Sequence, residues 1–207
     1  QALGTFDTNL TELGVDFACA AAHKWLFGGF GAAPFFIREE HLDRIRPDRY
    51  GHGQIAETTT REGVTQTSSV TGQIGGQGRF PGRDFRLRTT AEKYEYSCVA
   101  YSTVAQLAAT LGLFKKVGLA RVEAHTMPLA RELRDGIAEL GFETWTPKDN
   151  GSPIVTFVHG QDIEHLKRLL KEEAISVSFR EKNHTLMRVS VSMFNNRADI
   201  QKLLKLL

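Results

Sequence analysis

The sequence predicts an α/β fold: short covered strands in the first half and a small α+β unit in the second. Three observations carry this reading. Apolar runs over residues 15–20 and 33–37 are joined by Gly-rich turns, as in strands of a mostly covered sheet. Two stretches, 102–117 and 119–140, repeat apolar residues at helical spacing. Residues 142–207 then alternate strand-length apolar runs with amphipathic stretches.

Composition sets outer bounds. Of 207 residues, 41% are hydrophobic, enough to supply a core. A formal net charge of +2 is near balance and gives no support for nucleic-acid binding. The two cysteines, Cys19 and Cys98, form no disulfide framework and have no metal-ligand spacing. We therefore expect a reducing, cytoplasmic setting and no metal. No apolar run reaches membrane-spanning length, so no membrane partner is predicted.

In chain order, residues 8–13 read as a short helix, 15–20 as a buried strand and 33–37 as a second strand. The charged stretch 39–50 reads as a solvated helical turn. Residues 51–82 are rich in Gly, Thr, Ser and Gln and too poor in large apolar groups to bury much surface, so they read as a long loop. Gly72, Gly75, Gly76 and Gly78 neither follow a strand nor open a helix, which argues against a phosphate loop there. Arg79, Arg83, Arg86 and Arg88 read as surface charge. Helix 102–117 shows Val104, Leu107, Ala108, Leu111 and Phe114 on one face and stops at Gly118. Helix 119–140 contains Pro128, which should kink or divide it, and carries Arg131, Glu132 and Arg134 on a solvated face. Strands follow at 142–146 and 153–159, then a helix at 162–173 whose Asp162 complements the dipole. Strands at 175–180 and 186–192 precede a closing helix at 198–207, capped by Asn195 or Asn196.

The most informative stretch is Ala20-Ala21-Ala22-His23-Lys24-Trp25-Leu26-Phe27-Gly28-Gly29. Small residues deliver a Lys into what reads as a buried place, where Lys rarely sits unless paired or reactive. Burial disfavours the ammonium, and the neutral amine can attack an aldehyde to form a Schiff base. Small neighbours let a planar cofactor approach the backbone. The plain alternative is a solvated loop Lys beside a satisfied His.

Gln1-Ala-Leu-Gly, Leu13-Gly-Val-Asp16-Phe, His23-Lys24-Trp25-Leu26 and Gly31, met in this order before a strand ending in Arg38, resemble the class V aminotransferases. These are pyridoxal-phosphate (PLP) enzymes of fold-type I, a group that includes cysteine desulfurases and isopenicillin N epimerase-like enzymes. The resemblance runs over nearly the whole chain. It implies that residues 1–100 are the C-terminal part of a large, mostly parallel-sheet PLP-binding domain, with 51–82 as a long loop. It implies a connecting helix at 101–118 and a small α+β domain at 119–207. We read the chain as the C-terminal part of a longer enzyme.

Site roles follow from the same resemblance. Lys24 matches the Lys that carries PLP, His23 the His that supports it, and Gln1 a Gln that bonds the ring hydroxyl. Ser97 and Cys98, in Tyr94-Glu-Tyr-Ser-Cys, stand at the Gly and Thr of a Phe-Glu-x-Gly-Thr segment whose Thr reaches the phosphate of a neighbouring subunit. Arg188, in Met187-Arg-Val-Ser-Val-Ser-Met-Phe-Asn-Asn-Arg-Ala-Asp-Ile, matches the Arg that takes the substrate carboxylate, a planar fork suited to bidentate binding.

The departures are specific. The Asp that pairs with the pyridine nitrogen lies upstream of Gln1 in the family. Ala21 replaces a Ser that helps hold the phosphate, Cys98 offers a thiol where a hydroxyl is usual, and Phe194 and Asn196 replace a Tyr and a Thr. The resemblance thus implies a homodimeric PLP enzyme acting on an amino acid, as aminotransferase, epimerase or C–S lyase. One alternative is a degenerate, non-catalytic chain that serves dimerisation. Another is a cysteine desulfurase or selenocysteine lyase, which the absence of Cys from residues 178–187 opposes.

Overall fold

The computed structural model describes residues 1–59, 65–66, 85–180 and 185–207. The chain divides into two compact units. The first holds Gln1 and Thr8–Gly112, and the second holds Ala2–Asp7 and Leu113–Leu207.

In the first unit, β1 (Phe17–Cys19) pairs antiparallel with β2 (Phe35–Ile37). The link between them, residues 20–34, carries the His–Lys pair. It is closed by the Ala22 amide on the Ala32 carbonyl (3.1 Å) and the Gly28 amide on the Ala22 carbonyl (2.8 Å). Ala22 is wholly buried, so the small-residue run is packed backbone against backbone. A second antiparallel sheet centres β3 (Ile55–Thr59) between β4 (Thr65–Gln66) and β5 (Phe85–Leu87), with a register shift between Ile55 and Glu57. Short 3₁₀ turns stand at Glu39–His41, His52–Gln54 and Ala91–Tyr94.

Several expectations for this half are corrected. Residues 8–13 form turns, not a helix. The Asn9 side-chain oxygen accepts the amides of Thr11 (3.1 Å) and Glu12 (3.3 Å), a local bond that competes with helix. Leu13 stays exposed, so no apolar face drives a helix to pack. β1 is shorter than 15–20 and leaves Phe17 exposed. Residues 51–82 are not loop throughout, since β3 lies inside them: its Ile55 is buried, and its threonines suit an extended backbone. The glycines at 72–78, and Arg79 and Arg83, lie outside the described residues.

α1 (Tyr101–Val117) forms as expected, but Phe114 is its one buried residue. Val104 and Leu111, placed on an inward face from spacing, are exposed. Within the first unit, the early turns of α1 approach the turn after Lys24. A Cβ on Gly29 would lie 2.5 Å from the Gln106 side-chain oxygen, and one on Gly28 would lie 3.4 Å from Leu107.

The second unit is built on a three-stranded antiparallel sheet, β6 (Ile154–Val158), β8 (Leu186–Ser190) and β7 (Ser178–Arg180), in the order β6-β8-β7. α2 (Leu119–Glu139), α3 (Ile163–Glu172) and α4 (Arg197–Leu206) complete it. Alternation sends Val155, Phe157, Met187 and Val189 to one face, where they meet Leu133 and Ile137 of α2, Leu166 of α3, and Ile200 and Leu203 of α4. Asp162 caps α3 by accepting the amides of Glu164 (2.8 Å) and His165 (2.9 Å). Those two backbone bonds, His165 first, hold its carboxyl below the usual aspartate value. Asn196 caps α4 in a reciprocal box with Asp199.

Here too the structure differs in places. Pro128 does not divide α2, because it sits on the exposed face, where a freed carbonyl one turn back can turn to water. Residues 142–146 reduce to a single bridge, Thr144 to Phe157. Arg134 is buried rather than solvated. It donates to the Lys148 carbonyl and to Asp135 (3.0 Å).

Candidate functional site

The candidate site residues fall in two places. Gln1, His23, Lys24, Ser97 and Cys98 belong to the first unit, and Arg188 to the second.

Around Lys24 the backbone is tightly wound. The Lys24 amide bonds the Ala21 carbonyl (3.4 Å), and the Phe27 amide bonds the Lys24 carbonyl (3.1 Å). Phe27 takes a left-handed φ of 52°, uncommon outside Gly and Asn, and Gly31 takes 90°. Trp25 and Leu26 turn inward and are buried, which leaves Lys24 pointing outward. Its side chain is exposed, and among the described residues its Nζ has no hydrogen-bond or ion-pair partner. The burial expected from sequence is therefore absent: the small residues bury their own backbone, not the amine. His23 is half-buried and stacks on the exposed ring of Phe30, with centroids 4.4 Å apart. Gln1 joins this group across 24 residues, its side-chain oxygen accepting from the Trp25 indole Nε1 at 3.3 Å.

Ser97 and Cys98 follow the 3₁₀ turn Ala91–Tyr94 and are exposed. Their segment is fitted against the glycines that precede β3. A Cβ on Gly51 would lie 1.6 Å from the Tyr96 carbonyl oxygen, and one on Gly53 would lie 2.5 Å from that of Glu95. Sequence reading missed the group that anchors this fit. Gln54 is fully buried, accepts the Gly51 amide (2.7 Å) and donates to the Arg49 (2.9 Å) and Lys93 (2.6 Å) carbonyls. Lys93 is buried too and donates to the Leu42 carbonyl. The sequence signal for Gln54 is weak, because its bond to Lys93 spans 39 residues.

Arg188 lies mid-strand in β8, paired with Thr156 of β6 and Ser178 of β7. It projects from the face opposite Met187 and Val189, which enter the core. Its Nε is buried and has no hydrogen-bond partner among the described residues. Burial, then the positive charge of Arg180, push its pKa below the usual arginine value. A buried donor left without a partner is rare and asks for an acceptor.

Donor chemistry offers a test of whether these residues fit PLP, an aldehyde that carries a phosphate. A primary amine and a ring-stacked imidazole stand side by side on one wound segment of the first unit, and the Gln1 carboxamide bonds that segment through Trp25. The amine suits the aldehyde, and the polar groups suit the ring substituents. These residues fit the group.

Comparison with known proteins bears on the family and the fold. The family model "Aminotransferase class-V" matches residues 1–203. A curated relative, the probable cysteine desulfurase 2 of Mycobacterium leprae, is 27% identical over 173 residues, which covers 82% of this chain and 36% of that protein. The apo structure of the cysteine desulfurase of Thermococcus onnurineus superposes with a TM-score of 0.76 at 21% identity, covering 99% of this chain and 49% of that one. A C-DES variant with glycine covalently linked to its PLP cofactor superposes at 0.75 with 19% identity, again covering 99% and 49%. The chain thus spans about half the length of proteins it matches, or less. These likenesses place the fold in PLP fold-type I, an α/β fold. The match over 1–203 shows that the chain belongs to the class V aminotransferase family.

Proposed function

We propose that this chain is part of a PLP-dependent enzyme acting on an amino acid, of the aminotransferase, epimerase or C–S lyase type. The observation that carries the reading is Lys24: a free amine at the family's Lys position, on a wound turn that also holds His23 and draws in Gln1 through Trp25. When bound, PLP supplies an aldehyde for attachment and an electron-withdrawing ring that eases bond breaking at the substrate Cα. Lys24 carries the attaching amine and, once freed, moves the proton at Cα. His23 supports the cofactor and Gln1 its ring hydroxyl. Ser97 and Cys98 are the proposed phosphate donors, held in place by the Gln54 anchor. Arg188 binds the substrate carboxylate, which satisfies its buried Nε. The protein would act in the cytoplasm as a homodimer.

Two observations favour a second, non-catalytic reading. Lys24 is exposed, and Ala21 and Cys98 weaken the donor set for a phosphate. The desulfurase reading takes support from relatives' names but not from this chain. Residues 178–187 hold no Cys, and Cys19 and Cys98 lie in the other unit. Sulfide release from cysteine would revive it.

The test is covalent trapping. The chain is mixed with PLP, reduced with borohydride and mapped by mass spectrometry. We expect the added mass on the peptide that contains Lys24, and none there in Lys24→Ala. Modification scattered over other lysines, unchanged by that substitution, would overturn the PLP-carrying role.

A further inference from the structure

We propose that Arg180 and Arg188 together form a subsite selective for a dianion, so that the amino acid taken by this chain carries a second acid group besides its α-carboxylate. The proposal rests on the reading that Arg188 binds that α-carboxylate, and it adds Arg180 as the residue that sets specificity.

The argument begins with strand register. In the antiparallel pair β7–β8, Ser178 stands opposite Arg188 and Arg180 opposite Leu186. Phe179 and Met187 pack into the core, so Arg180 and Arg188 project together from the opposite face. They are diagonal neighbours, a spacing of about 7–8 Å that long side chains bridge easily. One ligand with two acid groups can therefore meet both forks.

Charge is the second element. Neither guanidinium forms an ion pair with an acid among the described residues. The other strand residues on this face, Ile154, Thr156, Val158, Ser178, Leu186 and Ser190, include no acid. Arg180 is the charged group that Arg188 feels, and the two repel. Two like charges on one sheet face with no counter-charge among the described residues are destabilising, and a bound anion relieves this. The buried Nε of Arg188, which has no partner among the described residues, is a donor that such an anion can fill.

Stoichiometry decides between one acid group and two. A monoanion taken bidentately by Arg188 leaves Arg180 uncompensated. A second acid group a few bonds from the first neutralises both. Arg180 is the exposed member of the pair, so it is the one that sorts ligands by their second group while Arg188 holds the common one.

The test uses the full chain and two probes of equal carbon number, succinate and butyrate, titrated by calorimetry at matched ionic strength. We expect succinate to bind about tenfold more tightly or better. Arg180→Gln should bring succinate down to about the butyrate level, and Arg180→Lys should restore part of the preference. Arg188→Gln should lose both probes, with circular dichroism confirming the fold of each variant. Equal binding of the two probes, or a succinate preference that survives Arg180→Gln, overturns the proposal while the role of Arg188 stands. Failure of both probes to bind, or indifference to Arg188→Gln, removes the carboxylate role itself and the proposal with it.

Discussion

Glu132 shows how one half-buried carboxylate can join two helices. It sits on α2 and accepts from Arg197 (2.9 Å), the first residue of α4, and from Gln201, one turn further on. Those bonds, Arg197 first, hold its carboxyl below the ordinary glutamate value. The folded-state pKa is the lower one, so this contribution is complete above the ordinary value of 4.5 and is lost as pH falls through the folded value. Glu132→Gln should lower stability at neutral pH and flatten the acid limb of the stability curve. Urea midpoints measured from neutral pH down through 4.5 check both. The sequence showed Glu132 as a solvated charge, because its partners lie 65 and 69 residues away. Arg134, three residues after Arg131 on the same predicted face, is buried because the Lys148 carbonyl folds back onto it. Asn196 was legible for the opposite reason. Its work is local: it accepts the Ala198 amide at 2.8 Å, and Asp199 returns the bond to its own amide at 2.9 Å. That geometry also accounts for one departure from the family pattern, since Asn and Thr both cap helices. Gln54 and Lys93 could not be read in sequence, because a buried polar side chain announces itself only through partners that the fold supplies.

Elements that carry their own periodicity were the readable ones. α3 and α4 formed within a residue or two of their expected bounds, with acidic or amide caps where spacing placed them. The short first-half strands were harder. Three-residue strands such as β1 and β2 are defined by what they pair with, and Phe17 and Phe35 remain exposed on them. α2 posed a different problem. Pro128 removes one donor from the helix interior, yet the helix runs through it, because Leu129, Ala130, Leu133 and Ile137 are buried against the sheet. Packing outweighs the lost bond. Pro128→Ala restores a donor to the carbonyl one turn back, and stability should rise by about 1–3 kcal/mol. A shift of the urea midpoint at unchanged slope would confirm this, and a fall in stability would mean that the fixed φ of Pro128 stabilises α2 more than the lost bond costs.

At the scale of the molecule, the two units differ in how much apolar surface they bury. The second packs both layers of side chains around Phe157, Leu133 and Met187, each fully buried. Among its described residues, the first buries Ala22, Trp25, Leu26, Ile37 and Ile55, and fills other interior positions with Gln54 and Lys93. Local opening follows buried apolar contact. Amides of β6 and β8 should therefore exchange with solvent far more slowly than those of β1 and β2. Hydrogen exchange read by mass spectrometry tests this, and equal protection would show that the units open as one. The class of the fold was legible because it rests on alternating elements and an ordered set of short motifs. The exposure of Lys24 matches the plain alternative of a solvated loop Lys and not the buried one, because a run of small residues tells where backbone packs and not which way the next side chain points.

The second unit is discontinuous. Residues 2–7 belong to it, the Asp7 amide bonding the Glu123 carboxylate at 3.0 Å across 116 residues, while Thr8–Gly112 form the other unit in between. During synthesis, residues 2–7 leave the ribosome before α2 and must wait for it before they have a docking place. Its closing core residue, Leu203, comes later still. Translation order therefore lets the inserted unit collapse first and leaves the better-packed one to finish last. A nascent chain held on the ribosome short of Leu203 would present apolar α2 and β6 to chaperones.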